Sequence, residues 1–410
     1  MVKEPKIKKI TAREIPDSRG NPTLEVKLQT NFGEVRASIP SGVSAGTYEA
    51  TNVDVKRAIE NVEKVIGPAI ADEDLTNQKK IDQLLIDLDD TQNKSRLGAN
   101  AILAVSIAVC RAGTKIKSLP LYQYIAQLSG SGAPLIMPRP SFNMIEGGKH
   151  SHSINSGQAG LAFQEFMVIP QKETFKENLE TGKKVYKKLG DILKNRFKEV
   201  KLSSEGAFSA PIKEVSMALD LILEAAGKNG AGNNLKIAID AAASEFFEKG
   251  NYKIDGKYFS KEELVDFYNN LAEKYSILCL EDPFQEEDFE AFNQLKEKMG
   301  ERVFIFGDDL TVSNVKRINL AKENESCSGL ILKPNQIGTV SETLAAAKLA
   351  QSFGWKIMVS NRAGETEDDF IADLAVGLGV EFIKSGAPFP KERMAKYNRL
   401  VKIEEEIKNG

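Results

Sequence analysis

Six short stretches decide the fold: KIAID (236–240), SILCLE (276–281), VFIFGD (303–308), GLILK (329–333), KIMVSNR (356–362) and EFIK (381–384). Each is an apolar run closing on a charged residue, in turn Asp240, Glu281, Asp308, Lys333, Arg362 and Lys384. Helical stretches follow them, and the units recur at roughly 25–40 residues, the spacing of βα repeats in a closed barrel. Continuous apolar runs suit parallel strands covered on both faces. Active sites of such barrels form at the C-terminal ends of the strands, so the six charged residues are predicted to converge at one mouth.

Asp240, Glu281 and Asp308 would repel one another there unless something positive lay between them. A hard divalent cation is the natural occupant, and magnesium suits a few carboxylates plus waters and substrate oxygens. Only two histidines exist, His150 and His152, too few and too far upstream for a zinc site. The plainer alternative is that each acid caps the helix after it. Lys333 and Lys384 also end strands, and a lysine beside a cation is pushed toward its neutral, basic form. A neutral lysine is a base, so proton abstraction is the expected chemistry. The plainer alternative for these two is pairing with acids at a barrel rim. Glu165 in FQEFMVIP and Glu205 in SSEGAF are a second acidic pair. If adjacent, one would stay protonated at neutral pH and could protonate a departing hydroxyl. Spacing alone does not bring them together.

Working toward the N-terminus, PTLEVKLQ (22–29) alternates apolar and polar like a half-buried strand, and GEVRASI repeats this with Val35, Ala37 and Ile39 on one face. VDVKRAIENVEKVI and the almost wholly apolar GANAILAVSIAVC read as helices, the second one buried. Strands followed by helices predict a small α+β domain over residues 1–128. SGSGAP (129–134) reads as a linker, and 135–410 as the barrel domain. The glycine-rich SGVSAGT (41–47) offers amides and hydroxyls to a phosphate, a weak motif taken alone.

Fifty-five basic and 58 acidic residues are intermixed, so no nucleic-acid footprint is expected. Lys183, Lys184, Lys187 and Lys188 have helical spacing and read as a solvated face. No membrane span or secretory signal is expected. Three scattered cysteines, Cys110, Cys279 and Cys327, fit reduced thiols in a cytoplasmic protein.

Taken together, DSRGNPTLEV, SGVSAGTYEA, NKSRLGANAILAVS, FQEFM, DAAASEFF, LEDPFQEEDFEAF, GDDLTVSN, LKPNQIGTVSE, RAGETEDDFIADLAVGL and AKYNRLVKIEEE resemble the enolase family, in family order from residue 17 to 406. The resemblance implies an enolase-type eight-stranded α/β, TIM-like barrel with an N-terminal α+β capping domain. It also implies magnesium-dependent, reversible dehydration of 2-phosphoglycerate to phosphoenolpyruvate, in glycolysis, by a cytoplasmic homodimer or higher oligomer. Carried over, the metal ligands are Asp240, Glu281 and Asp308, joined by Ser44 from a mobile loop when substrate binds. Lys333 is the base and Glu205 the acid, with Glu165 beside it. His150, Gln164, Arg362 and Lys384 contact the substrate, Arg362 through its phosphate.

Departures from the family pattern cluster around the substrate. Family members usually read SHRSGET where this chain reads SNRAGET, so Asn361 replaces a histidine and Ala363 a phosphate-binding serine. The loop after His150, SHSINSGQAGLAF, is longer than usual. Each lost polar contact to phosphate costs about 1–3 kcal/mol if nothing replaces it. Two alternatives therefore stand beside the dehydratase: an enzyme making the enolate of a different phosphorylated or phosphonate acid, and a non-catalytic relative.

Overall fold

The computed structural model describes residues 6–42, 46–130, 132–148, 160–228 and 230–409. The N-terminal strands β1 (Ile7–Pro16), β2 (Pro22–Thr30) and β3 (Gly33–Ser38) form an antiparallel sheet in that order. Leu24, Val26 and Leu28 of β2 and Val35 and Ala37 of β3 are buried, as the alternation predicts. They face α1 (Ala99–Lys117), whose apolar positions are buried on nearly every side. By length and hydropathy α1 would suffice for a membrane span, but 78% of its apolar window is covered by the protein itself. The helix after β3 runs from Val55 to Ile70 and is interrupted by a π-helical stretch at Asn61–Ile66.

Eight strands close the barrel: β4 (Arg139–Glu146), β5 (Glu165–Pro170), β6 (Leu235–Asp240), β7 (Ile277–Glu281), β8 (Phe304–Gly307), β9 (Gly329–Leu332), β10 (Lys356–Ser360) and β11 (Phe382–Lys384). Each pairs with the next, and β11 pairs with β4. The barrel is not uniformly parallel, which corrects the simple βα-repeat expectation. Strand β5 lies antiparallel to both β4 and β6, and no helix separates it from β4 among the described residues. The two helices that a regular repeat would have spread over two units, α2 (Phe175–Arg196) and α3 (Val215–Lys228), come together after β5. The reversal puts the first residue of β5, Glu165, at the mouth, where the other strands put their last.

Below the mouth the barrel is plugged by Met167, Ile169, Ala238, Cys279, Phe306, Ile331, Met358 and Phe382. This packed apolar layer gives the ring of charge above it a low-dielectric floor, which strengthens the electrostatic interactions there. The three cysteines are unbridged and buried. Lys184 and Lys187 on α2 are exposed, in keeping with a solvated face. The last helix, α4 (Lys391–Asn409), closes over the outside and sends Arg393 inward, where it donates to the carbonyls of Arg362 and Ala363 at 2.7 Å each.

Candidate active site

Asp240 and Glu281 are the last residues of β6 and β7, while Asp308 and Lys333 lie one residue past β8 and β9. The helices beyond carry their own caps: Ser260 before Lys261–Lys274, Asp288 before Phe289–Met299 and Asn314 before Val315–Glu323. Capping therefore does not explain the three acids. All three are buried, with Asp240 3% exposed, Glu281 2% and Asp308 7%.

The positive charge among them is lysine. Lys384 Nζ donates to Glu281 at 2.7 and 2.9 Å and to Asp240 at 3.2 Å, and lies 3.3 Å from Glu165. Lys333 Nζ pairs with Asp308. Burial pushes Glu281 well above the usual carboxylate range, and neighbouring Asp240 adds to it. Burial would raise Asp308 too, but the Lys333 and Lys384 charges overcome it and hold the carboxyl below its usual range. Burial opposes charge on Lys333, and the Asp308 carboxylate outweighs it, so Lys333 lies above the ordinary lysine range. That is the reverse of the neutral lysine expected beside a cation. With protein groups alone, Asp308 keeps Lys333 charged, and a cation competing for Asp308 would lower its pKa.

The surrounding shell was not legible from strand ends. Gln336 Nε2 donates to Asp308 at 2.8 Å, and Ser313 Oγ holds Gln336 Oε1 at 2.9 Å. Asp282 is buried with φ of 41°, and its carboxylate accepts the amides of Asp308 and Asp309 at 2.9 and 2.7 Å. That left-handed backbone is costly for a non-glycine residue. Here it turns the side chain under the Asp308–Asp309 peptide. Burial and neighbouring Asp308 push Asp309 up to about 7.

Gln164 lies at the same mouth, its Nε2 3.3 Å from Asp240 Oδ2. Arg362 grips Glu49 through two nitrogens at 3.0 and 3.2 Å and reaches Asn335 at 3.3 Å. Ser41 and Gly364 exchange backbone hydrogen bonds at 2.7 and 2.9 Å, which sets the start of the 41–47 segment beside Arg362 and Ala363. Asn361 Nδ2 donates to the Arg362 carbonyl at 3.1 Å, and its buried Oδ1 has no hydrogen-bond partner among the described residues. Ser44, His150 and His152 lie outside the described residues.

Glu165 and Glu205 do come together. Their carboxylate oxygens, with one from Glu146, lie within 4.8 Å of one another. Glu205 sits on a turn held by Tyr186, whose hydroxyl donates to the Gly206 carbonyl at 2.6 Å, and by the Ala387 amide, which donates to the Glu205 carbonyl at 3.0 Å. Gly206 is required there: φ is +80°, and a Cβ would meet Pro390 at 2.3 Å. Burial raises Glu165 to about 8, with Lys384 opposing and Glu205 and Asp240 adding to the rise. Glu146 was missed, although SFNMIE ends β4 on an acid as KIAID ends β6.

Two family models match the chain: "Enolase, N-terminal domain" over residues 7–125 and "Enolase, C-terminal TIM barrel domain" over 134–410. The chain belongs to the enolase family. It is accordingly an enzyme of the enolase superfamily, of lyase type. In this enolase-family chain two groups of acids among the described residues, Glu146, Glu165 and Glu205 and again Asp282, Asp308 and Asp309, have carboxylate oxygens within 4.8 Å of one another and are able to hold a metal ion.

Proposed function

We propose that this protein catalyses reversible, magnesium-dependent dehydration of 2-phosphoglycerate to phosphoenolpyruvate. The carrying observation is the meeting of two lysines with three strand-end carboxylates at one barrel mouth, Lys384 on Glu281 and Asp240 and Lys333 on Asp308. Eight acids (Glu49, Glu165, Glu205, Asp240, Glu245, Asp282, Asp308 and Asp309) and three bases (Lys333, Arg362 and Lys384) line the cavity, and that surplus of hard oxygen donors fits magnesium. Asp240, Glu281 and Asp308 would hold the ion, with Ser44 added when substrate binds. When bound, it supplies the positive charge that stabilises an ene-diolate, as is known for the enolase superfamily.

Lys333 takes the proton from the carbon beside the substrate carboxylate. Glu205, with Glu165 beside it, gives a proton to the departing hydroxyl, which leaves as water. Lys384 and Gln164 orient the carboxylate end, and Arg362 binds the phosphate with a guanidinium already set by Glu49 and Asn335. His150 is read as a further substrate contact. Under this reading the protein is a cytoplasmic homodimer acting in glycolysis.

A second reading rests on Asn361 and Ala363, which line the same cavity. An amide oxygen and a methyl at the phosphate end suit a different phosphorylated or phosphonate acid. The test is phosphoenolpyruvate formation from 2-phosphoglycerate, followed by ultraviolet absorbance, with magnesium or a chelator. Turnover that needs magnesium and is lost in Lys333→Ala supports the first reading. An inactive wild type that gains activity in Asn361→His supports the second.

A further inference from the structure

The barrel helix Val340–Ser352 follows the segment that carries Lys333 and Gln336. A helix leaves its first amides without acceptors of its own. Its cap, Thr339, accepts the Glu342 amide at 3.1 Å. The Val340 and Ser341 amides go to the N-terminal domain instead. Ser106 Oγ of α1 accepts the first at 2.9 Å, and Asp82 Oδ2, from the helix Gln78–Asp89, accepts the second at 2.8 Å. Ser106 Oγ also donates to Asp82 Oδ1 at 2.6 Å and accepts from Gln78 Nε2 at 3.1 Å. Asp82 and Ser106 are both 0% exposed, in the seam between the N-terminal sheet-and-helix layer and the barrel. The approach there is close. Gly338 has φ of +101°, and a Cβ on it would meet Lys94 Cδ at 2.6 Å. The Ala50 amide donates to the Gln336 carbonyl at 2.8 Å.

We propose that Ser106 and Asp82 are positioning residues for Lys333, acting from the N-terminal domain through the segment 334–341. This rests on the reading of Lys333 as the base. The segment is hydrogen-bonded along its length: the Gln336 amide donates to the Lys333 carbonyl at 3.0 Å and the Gly338 amide to the Pro334 carbonyl at 2.9 Å. Gln336 Nε2 in turn holds Asp308 at 2.8 Å, the carboxylate that pairs with Lys333. A shift at the helix start is therefore a shift of Gln336, and with it of the carboxylate against which Lys333 is set. Ser106 and Asp82 do not line the cavity and meet no reacting atom. Their effect is through geometry, where a misplacement of about 1 Å caused by a remote residue costs about a hundredfold in rate.

The test compares wild type with Ser106→Ala and Asp82→Ala, and with Gly113→Ala, which strains α1 against Tyr124, away from this segment. In the first two, kcat per folded molecule with 2-phosphoglycerate and magnesium should fall about tenfold or more. KM should stay within about twofold, because Arg362 and Lys384 are carried by the turn after β10 and by β11. Gly113→Ala should keep the wild-type kcat. Amide hydrogen–deuterium exchange of residues 336–341, read by mass spectrometry on the protein without substrate, needs no turnover. It should be about tenfold faster in Ser106→Ala and Asp82→Ala, whose Val340 or Ser341 amide has lost its acceptor, and unchanged in Gly113→Ala. Ser106→Ala removes a single oxygen and carries the test if Asp82→Ala does not fold. Wild-type kcat in both variants, with or without faster exchange, overturns the inference: the residues then dock the domains and nothing more. A wild type that does not turn over 2-phosphoglycerate defeats the assigned reaction only. Faster exchange in the variants then still supports the clamp on this segment, and unchanged exchange overturns it.

Discussion

Lys384→Met should make the protein a magnesium-dependent folder. The ammonium is 2% exposed as a residue and touches Glu281 at 2.7 and 2.9 Å, Asp240 at 3.2 Å and Glu165 at 3.3 Å. Methionine fills much the same volume but leaves three buried carboxylates without their cation. Breaking a buried ion pair by removing one partner costs about 3–5 kcal/mol. Two compensations are available. A divalent ion can supply the missing charge, so magnesium should stabilise the variant more than it stabilises wild type. Glu281 and Glu165, whose carboxyls burial already raises, can also bind protons; their folded pKa values exceed the unfolded ones, and stability falls as pH rises through that interval. Urea unfolding at about pH 5.5 and 7.5, each with magnesium or chelator, reads both effects. The account expects the largest loss at the higher pH with chelator. A loss under about 1 kcal/mol, or one indifferent to magnesium and pH, would refute the reasoning.

Arg111 reaches from α1 to Asp368 at 2.6 and 2.9 Å and to Asp369 at 2.9 Å, so Arg111→Leu should destabilise by about 3–5 kcal/mol in chemical denaturation. Burial would raise Asp368, but Arg111 holds it below the usual range, so wild type has this stabilisation above the ordinary Asp pKa of about 4 and loses it as pH falls further; Arg111→Leu should flatten that acid limb. Gly113→Ala would bring a Cβ to 2.4 Å from the Tyr124 hydroxyl and 2.5 Å from its ring, and should lose about 1–3 kcal/mol despite alanine's helix preference, as thermal unfolding would show. Ala363→Ser restores a hydroxyl at the phosphate end and should lower the KM for 2-phosphoglycerate by about fivefold, worth about 1 kcal/mol; an unchanged KM would mean that this position does not meet the phosphate.

What the sequence made legible is what periodicity and strand ends encode. The alternation in PTLEVKLQ and GEVRASI became β2 and β3. Apolar runs ending in Asp240, Glu281 and Lys384 became barrel strands with those residues at the mouth. The reversed strand was not legible, because FMVIP looks equally apolar whichever way it runs. Glu146 escaped for the same reason: its significance comes from the antiparallel partner beside it, not from spacing. Asp282 and Gln336 are set by a left-handed turn and by a contact across β8 and β9, neither of which leaves a periodic trace.

The central claim is that Lys333 removes a proton from carbon. Its most direct test is exchange at the phosphate-bearing carbon of 2-phosphoglycerate in deuterium oxide with magnesium, read by proton NMR. The account predicts loss of that proton signal with wild type, and also with a variant that keeps Lys333 but is too slow to dehydrate, and persistence of the signal with Lys333→Ala. Exchange that survives in Lys333→Ala, or none with a wild type that still forms phosphoenolpyruvate, would contradict it.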